Sequence, residues 1–285
     1  MKINELYNSN KRIFSFEVFP PKPEMPIDTV YKTIDEIKHL KPSFISVTYG
    51  AGGSNRSRTI EISSYIKNTS GIEALSHLTC VSSSKEDINS ILDNLGNENI
   101  ENILALRGDP PRDIPNFDFS KQEFQHASDL ISYITKTKKF CIGTSCYPET
   151  HIESVSRESD IEYLKLKVDS GVSFLISQLF FDNNIFINFL DEIRRTGISC
   201  PISAGIMPIL NSNQIKRMTL MCGASIPKKL IRILNKYENS PENMIKAGVH
   251  YAIQQIHELQ SSSVNGFHIY TMNRPDIVKE IMQNV

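Results

Sequence analysis

Short runs of β-branched and aromatic residues recur along the chain, and between them the apolar positions switch to a three- and four-residue spacing. The first pattern reads as strands and the second as helices. The strand-like runs are IFSFEVF (13–19), FISVTY (44–49), EALSHLTC (73–80), NILALRG (102–108), FCIGTSCY (140–147), FLISQLF (174–180), PISAGI (201–206) and FHIYTM (267–272). Helical spacing is clear in DTVYKTIDEIKHL, where Val30, Ile34, Ile37 and Leu40 share one face. In SSSKEDINSIL the serines are N-cap candidates, and the early acidic residues suit the positive end of a helix. Eight strands, each followed by a helix, predict an α/β fold of the closed (β/α)8 TIM-barrel type. The competing doubly wound sheet often carries a G-x-G-x-x-G turn after its first strand, whereas FEVFPPKPEMP follows here. Between residues 207 and 266 the chain is longer than a barrel unit needs, and IPKKLIRILNKY and PENMIKAGVHYAIQQIHELQ read as two extra helices before the last strand. No linker, low-complexity segment or internal repeat divides residues 1–285, which read as a single domain.

Composition removes several classes of partner. Apolar residues make up 40% and charged residues 22% of the 285, as in ordinary globular proteins. The 31 basic and 32 acidic side chains leave a net charge of -1, so no bulk field attracts nucleic acid or an anionic membrane. No apolar run approaches the roughly 20 residues of a membrane span, and MKINELYNSNKR lacks the apolar stretch of a signal peptide, which makes the cytoplasm the expected location. The five cysteines include no C-x-x-C pair and sit mostly in apolar runs, so reduced buried thiols are expected and a metal site is not.

The first strand poses the sharpest chemical question. Alternation puts Phe14, Phe16 and Val18 on one face and Ser15 and Glu17 on the other. If the aromatic face packs on helices, Glu17 points into the lumen near the C-terminal end of its strand, where such barrels carry their active sites. Desolvation there would raise its pKa and make it a proton donor near neutral pH. The bland alternative is a space-filling ion pair with Arg107 or Lys167. Other strand ends also deliver polar groups: Thr48 and Tyr49 before the loop Gly50-Ala51-Gly52-Gly53, His77, Arg107-Gly108-Asp109 before a second Pro-Pro, Tyr147 and His151, and Gln178.

Taken together, SFEVFPPK, SVTYGAGGS, HLTC, LALRGDPP, YPETH, SQLFFD and YTMNR resemble the methylenetetrahydrofolate reductase family in its short form, the catalytic barrel alone, over about residues 12–280. The resemblance implies FAD bound over the top of the barrel, reduced by NAD(P)H, with methylenetetrahydrofolate then entering the same site. Glu17 would protonate folate N5 and open the five-membered ring to an iminium. Asp109 would sit by the flavin and pterin, and Gln178 and Arg274 would help place the folate or the nicotinamide. Thr48, Tyr49, Ala51, His77, Arg107, Gly108, Asp109, Ala127, Tyr147, His151, Asp160 and Lys167 match positions that hold FAD. A homo-oligomer is expected, and an electron-delivering partner subunit is compatible with the composition.

The chain also departs from the family pattern. Tyr163 and Leu166 stand where some relatives have an amide and an arginine, which would redistribute phosphate contacts toward Lys165 and Lys167. Ser212 stands where some members place an aromatic ring that can lie against bound ligand. The family's eukaryotic-type regulatory extension is not expected after the eighth strand and its helix. Two other readings are a metal-dependent lyase or aldolase with Glu17, Asp109 and His77 as ligands, and a non-catalytic scaffold that keeps flavin as a structural ligand or docks a protein on the extra helices.

Overall fold

A computed structural model describes residues 1–8, 12–49, 56–111, 114–137 and 139–285, with only the backbone of Arg56. Eight parallel strands close into a barrel in sequence order. They are β1 (Ile13–Val18), β2 (Phe44–Val47), β3 (Glu73–Thr79), β4 (Asn102–Leu106), β5 (Cys141–Cys146), β6 (Phe174–Ser177), β7 (Ile202–Ile206) and β8 (Gly266–Tyr270). All eight strands predicted from the sequence are present. Most stop short of their apolar runs: β6, for example, ends at Ser177 while the run continues to Phe180. The residues past each end form the rim of the barrel mouth.

Register decides which side chains meet inside. Ser15 pairs with His268 and Glu17 with Tyr270 across β1 and β8, and Glu17 lies opposite Ser46 of β2. The lower lumen is filled by Ile13, Phe44, Leu75, Leu104, Cys141 and Phe174, with Ile3 of the short helix α1 (Ile3–Leu6) packed among them. Tyr7 closes that end, its hydroxyl 2.8 Å from Ser203 Oγ. Water is thereby excluded below, and the polar lumen residues face the open, C-terminal mouth. On the outside, Phe16, Val18, Ile45 and Val47 are fully buried against the helices. Burial of such a side chain contributes roughly 1.5–3 kcal/mol.

The helical ring comprises α2 (Asp28–Ile37), α3 (Arg56–Ser64), α4 (Lys85–Asn97), α5 (Ala127–Thr135), α6 (Arg157–Asp169), α7 (Asn183–Arg195), α8 (Ser212–Cys222), α9 (Lys228–Lys236), α10 (Pro241–Leu259) and α11 (Pro275–Met282). The predicted cap before α4 is a capping box in which the Ser84 hydroxyl accepts from the Asp87 backbone N–H and the Asp87 carboxylate from that of Ser84. The two extra helices are α9 and α10. With α8 they enclose a second core of Leu179, Phe181, Met207, Ile209, Leu230 and Tyr251. Gly248 of α10 lies so close to the segment after β7 that an added Cβ would come within 1.8 Å of the Ile209 carbonyl oxygen, so only glycine fits there. This packing fixes the segment after β7 that walls one side of the barrel mouth.

Candidate active site

Glu17 reaches the lumen from the end of β1 with its side chain 17% exposed. His77 of β3 and His268 of β8 flank it, each Nε2 3.5 Å from Glu17 Oε2. His268 is fully buried and held on both ring nitrogens, with Nδ1 2.7 Å from Ser15 Oγ and Nε2 3.3 Å from Ser46 Oγ. Ser15, His268 and Glu17 therefore form a continuous polar chain. Neither Arg107 nor Lys167 pairs with Glu17. Arg107 makes a bidentate bond to Glu153 at 2.6 and 2.9 Å, and the Lys167 ammonium donates to the Ser145 carbonyl at 2.7 Å.

These neighbours reverse the electrostatic expectation for Glu17. Burial does work to raise its pKa, but the hydrogen bond with His268, the attraction of both imidazoles and the Ser46 hydroxyl outweigh it, and the pKa lies below the ordinary 4.5. The unliganded carboxyl is thus ionised at neutral pH. Burial pushes His77 down to about 4 from 6.5, so its imidazole is neutral there. Its Nε2 is buried without a hydrogen-bond partner.

A pH dependence of stability follows. Unfolded His77 binds a proton below about 6.5, whereas the folded site resists protonation down to about 4. The unfolded state holds more protons in that window, so stability falls as pH is lowered through it, by about 3 kcal/mol, and this contribution is flat below it. Glu17, with its depressed pKa, contributes stability above pH 4.5 that is lost at still lower pH. Urea titrations from pH 7 to 4 should show this slope, and His77→Asn should flatten it. An unchanged slope in the variant would mean that His77 is not held neutral by burial.

Two adjoining cavities open at the barrel mouth. One, of about 420 Å³, extends over the lumen and is lined by Glu17, Thr48, His77, Tyr147, Gln178 and others. The second, of about 260 Å³, lies between α5 and α6 and includes Arg107, Ala127, His151, Asp160 and Lys167. Ser145 and Tyr147 line both, so the two cavities adjoin across these residues. Burial raises the Tyr147 hydroxyl to about 12, and the ring packs edge-on to His151 at 4.6 Å. His151 Nδ1 accepts from the Glu153 backbone N–H at 3.1 Å, while Asp160 Oδ1 accepts from Ser154 Oγ at 3.1 Å and orders the same loop. Gly108 has φ +89°, and an added Cβ would lie 2.6 Å from Val81 Cγ1.

The fold therefore gathers most of the predicted residues, with exceptions. Tyr49 packs against the core and lines neither cavity. Ala51 and the glycine loop around it lie outside the described residues. Asp109 is exposed on the loop after β4 and lines neither cavity. Arg274 immediately precedes α11, clamped to Asp276 at 2.9 and 2.6 Å and likewise outside both. Of the two lysines expected to take over phosphate contacts, Lys165 pairs with Asp169 at 3.1 Å and only Lys167 lines the cleft. Tyr163 borders the cleft with its ring stacked 6.0 Å from His126, whereas Leu166 is half exposed. His268, Ser15 and Ser46 were not singled out by motif. Period-two alternation on FHIYTM, read in register with FSFEVF, is the signal that puts His268 beside Ser15.

Fold and site define a (β/α)8 barrel with a carboxylate–imidazole cluster under its mouth and a polar cleft alongside. The chain belongs to the methylenetetrahydrofolate reductase family, whose profile matches residues 2–285. It is 35% identical over 263 residues to the 5,10-methylenetetrahydrofolate reductase of Escherichia coli, covering 92% of this chain and 87% of that one. Identity to methylenetetrahydrofolate reductase (NADH) 1 of Arabidopsis thaliana is 34% over 295 residues, covering all of this chain. The chain spans about half the length of that plant relative, 50%. A solved structure of an uncharacterised Clostridium thermocellum protein, described as binding two copies of 5-methyl-5,6,7,8-tetrahydrofolic acid, superposes with a TM-score of 0.71 at 15% identity, over 98% of this chain and 95% of that one. That likeness concerns the fold.

Proposed function

We propose that the protein reduces 5,10-methylenetetrahydrofolate to 5-methyltetrahydrofolate with NAD(P)H as electron donor, in two half-reactions that alternate at one FAD-containing site. The observation that carries this reading, beside family membership, is that Glu17 is the one carboxylate among the described residues lining the lumen cavity, with an imidazole on either side. The two adjoining cavities suit an elongated cofactor. The Lys167 ammonium has no carboxylate partner among the described residues, and the buried Nε2 of His77 has no hydrogen-bond partner. Lys167 and Arg107 would face the pyrophosphate, and Thr48 and His77 the ring system. FAD bound there would supply the hydride relay between nicotinamide and folate.

The protein's own part is proton handling. For the one-carbon unit to finish as a methyl on N5, the methylene–N10 bond must break, so atom balance puts the proton on N10 rather than N5. Glu17 is the donor. Ligand covering the cavity strips the remaining water from the carboxyl and works to raise its pKa, while Ser15, Ser46 and His268 keep the carboxyl oriented and connected to a second proton-binding group. The five free thiols agree with a reducing compartment such as the cytoplasm, and no described helix is long and apolar enough to cross a membrane.

The test is the visible spectrum of the purified protein, followed without oxygen. Flavin bands should bleach on addition of NADH or NADPH and return on addition of methylenetetrahydrofolate. Protein that remains colourless after incubation with FAD would overturn the reading.

A further inference from the structure

Phe19 is the first residue past β1, two positions beyond Glu17, so alternation gives it the lumen face, and it lines the lumen cavity while remaining 37% exposed. Its backbone is held in an unusual way. The Asn273 side-chain amide accepts from the Phe19 N–H at 3.2 Å through Oδ1 and donates from Nδ2 to the Phe19 carbonyl at 2.9 Å. One side chain thus reproduces a ladder pair beyond the point where β8 has ended. Pro20 follows and restricts Phe19 to extended backbone.

The turn that carries Asn273 is itself strained. Met272 and Asn273 have φ of +53° and +51°, the left-handed region that residues other than glycine seldom occupy. Such strain persists where the surroundings over-determine it, often at ligand sites. Here Thr271 donates to the Glu17 carbonyl from its N–H at 3.2 Å and from Oγ1 at 2.6 Å, and the Asn273 N–H returns to Thr271 Oγ1 at 3.0 Å. One turn therefore grips Glu17 and Phe19 together.

We propose that Asn273 is a positioning residue that holds Phe19 in place, and that the Phe19 ring is the surface on which the aromatic portion of the substrate packs while the substrate meets Glu17. The proposal rests on the function given above and deepens it.

The experiment is a double-mutant cycle read in steady-state kinetics with methylenetetrahydrofolate. Asn273→Gly removes the amide but tolerates the left-handed backbone, and Phe19→Leu removes the ring. Each is expected to raise KM for the folate about tenfold, and the double variant no further than the stronger single one, because Asn273 acts through Phe19. Phe19→Tyr, which retains a ring, should keep KM within about threefold. Phe19→Leu with wild-type KM, or a double variant whose KM rises by about the product of the two effects, would overturn the proposal. If Asn273→Gly does not fold, the contrast of Phe19→Leu with Phe19→Tyr still decides whether the ring is used. A wild-type protein that does not turn over the folate would overturn the function itself, an outcome distinct from either of these.

Discussion

Glu17→Gln is expected to lower the rate of folate reduction by about 10³-fold or more while reduction of the bound flavin by nicotinamide persists. General acid catalysis contributes typically 10²–10⁴-fold, and here the proton is required to break the methylene–N10 bond. Hydride transfer from nicotinamide involves no such bond. Glutamine is isosteric with glutamate and can still hydrogen-bond with Ser46 and His268, so the pocket should keep its shape. Stopped-flow absorbance of the two half-reactions, measured separately on protein with its flavin content checked, gives the answer. If both rates fell together with flavin still bound, Glu17 would be a general determinant of the site rather than a selective acid. His268→Asn should reproduce part of the defect, because it removes the imidazole that links Glu17 to Ser15.

The architecture was legible from the sequence because a parallel barrel repeats one local pattern eight times. Each strand run and each amphipathic helix is specified by neighbours within a few residues, so FSFEVF or NILALRG can be read alone. The position of Glu17 was legible for the same reason, since alternation from Phe16 and Val18 leaves it a single direction. Its ionisation state was not. The sign of the pKa shift depends on His77 and His268, which lie 60 and 251 residues away in sequence and meet Glu17 only once the strands close into a barrel that pairs β1 with β8 and turns β3 toward the same lumen. Burial by itself predicts a raised pKa, and the imidazoles win because they are within 3.5 Å. Arg107 shows the same limit from the other side: LALRGDPP marks it as a rim cation, but only the folded loop after β5 supplies Glu153 as its partner. Asp109 and Arg274 were read as site residues from motif. They are exposed and line neither cavity, so a ligand confined to the two cavities would not touch them.

Lys167→Met is expected to weaken FAD binding by about 10–100-fold and to leave the thermal midpoint of the flavin-free protein unchanged or higher. The ammonium donates to the Ser145 carbonyl, and no carboxylate among the described residues pairs with it, so burial lowers its pKa. A cation held this way costs the unliganded fold and is repaid when an anion arrives. Hydrogen bonds to charged groups contribute roughly 1.5–3 kcal/mol, which corresponds to the expected loss in affinity. Arg107 should matter less than its larger head group suggests. Its guanidinium is already neutralised by Glu153 and stacked 4.1 Å from the Phe119 ring centroid, so a phosphate there displaces one anion with another. Equilibrium titration of flavin-free protein, followed by flavin fluorescence, separates the cases when FAD is compared with riboflavin, which has no phosphate. Loss of affinity for FAD with riboflavin binding retained assigns Lys167 to the pyrophosphate. Equal FAD affinity in wild type and variant would remove Lys167 from the cofactor site. A fall in the midpoint of the flavin-free protein would mean that the Ser145 hydrogen bond already compensates the buried charge.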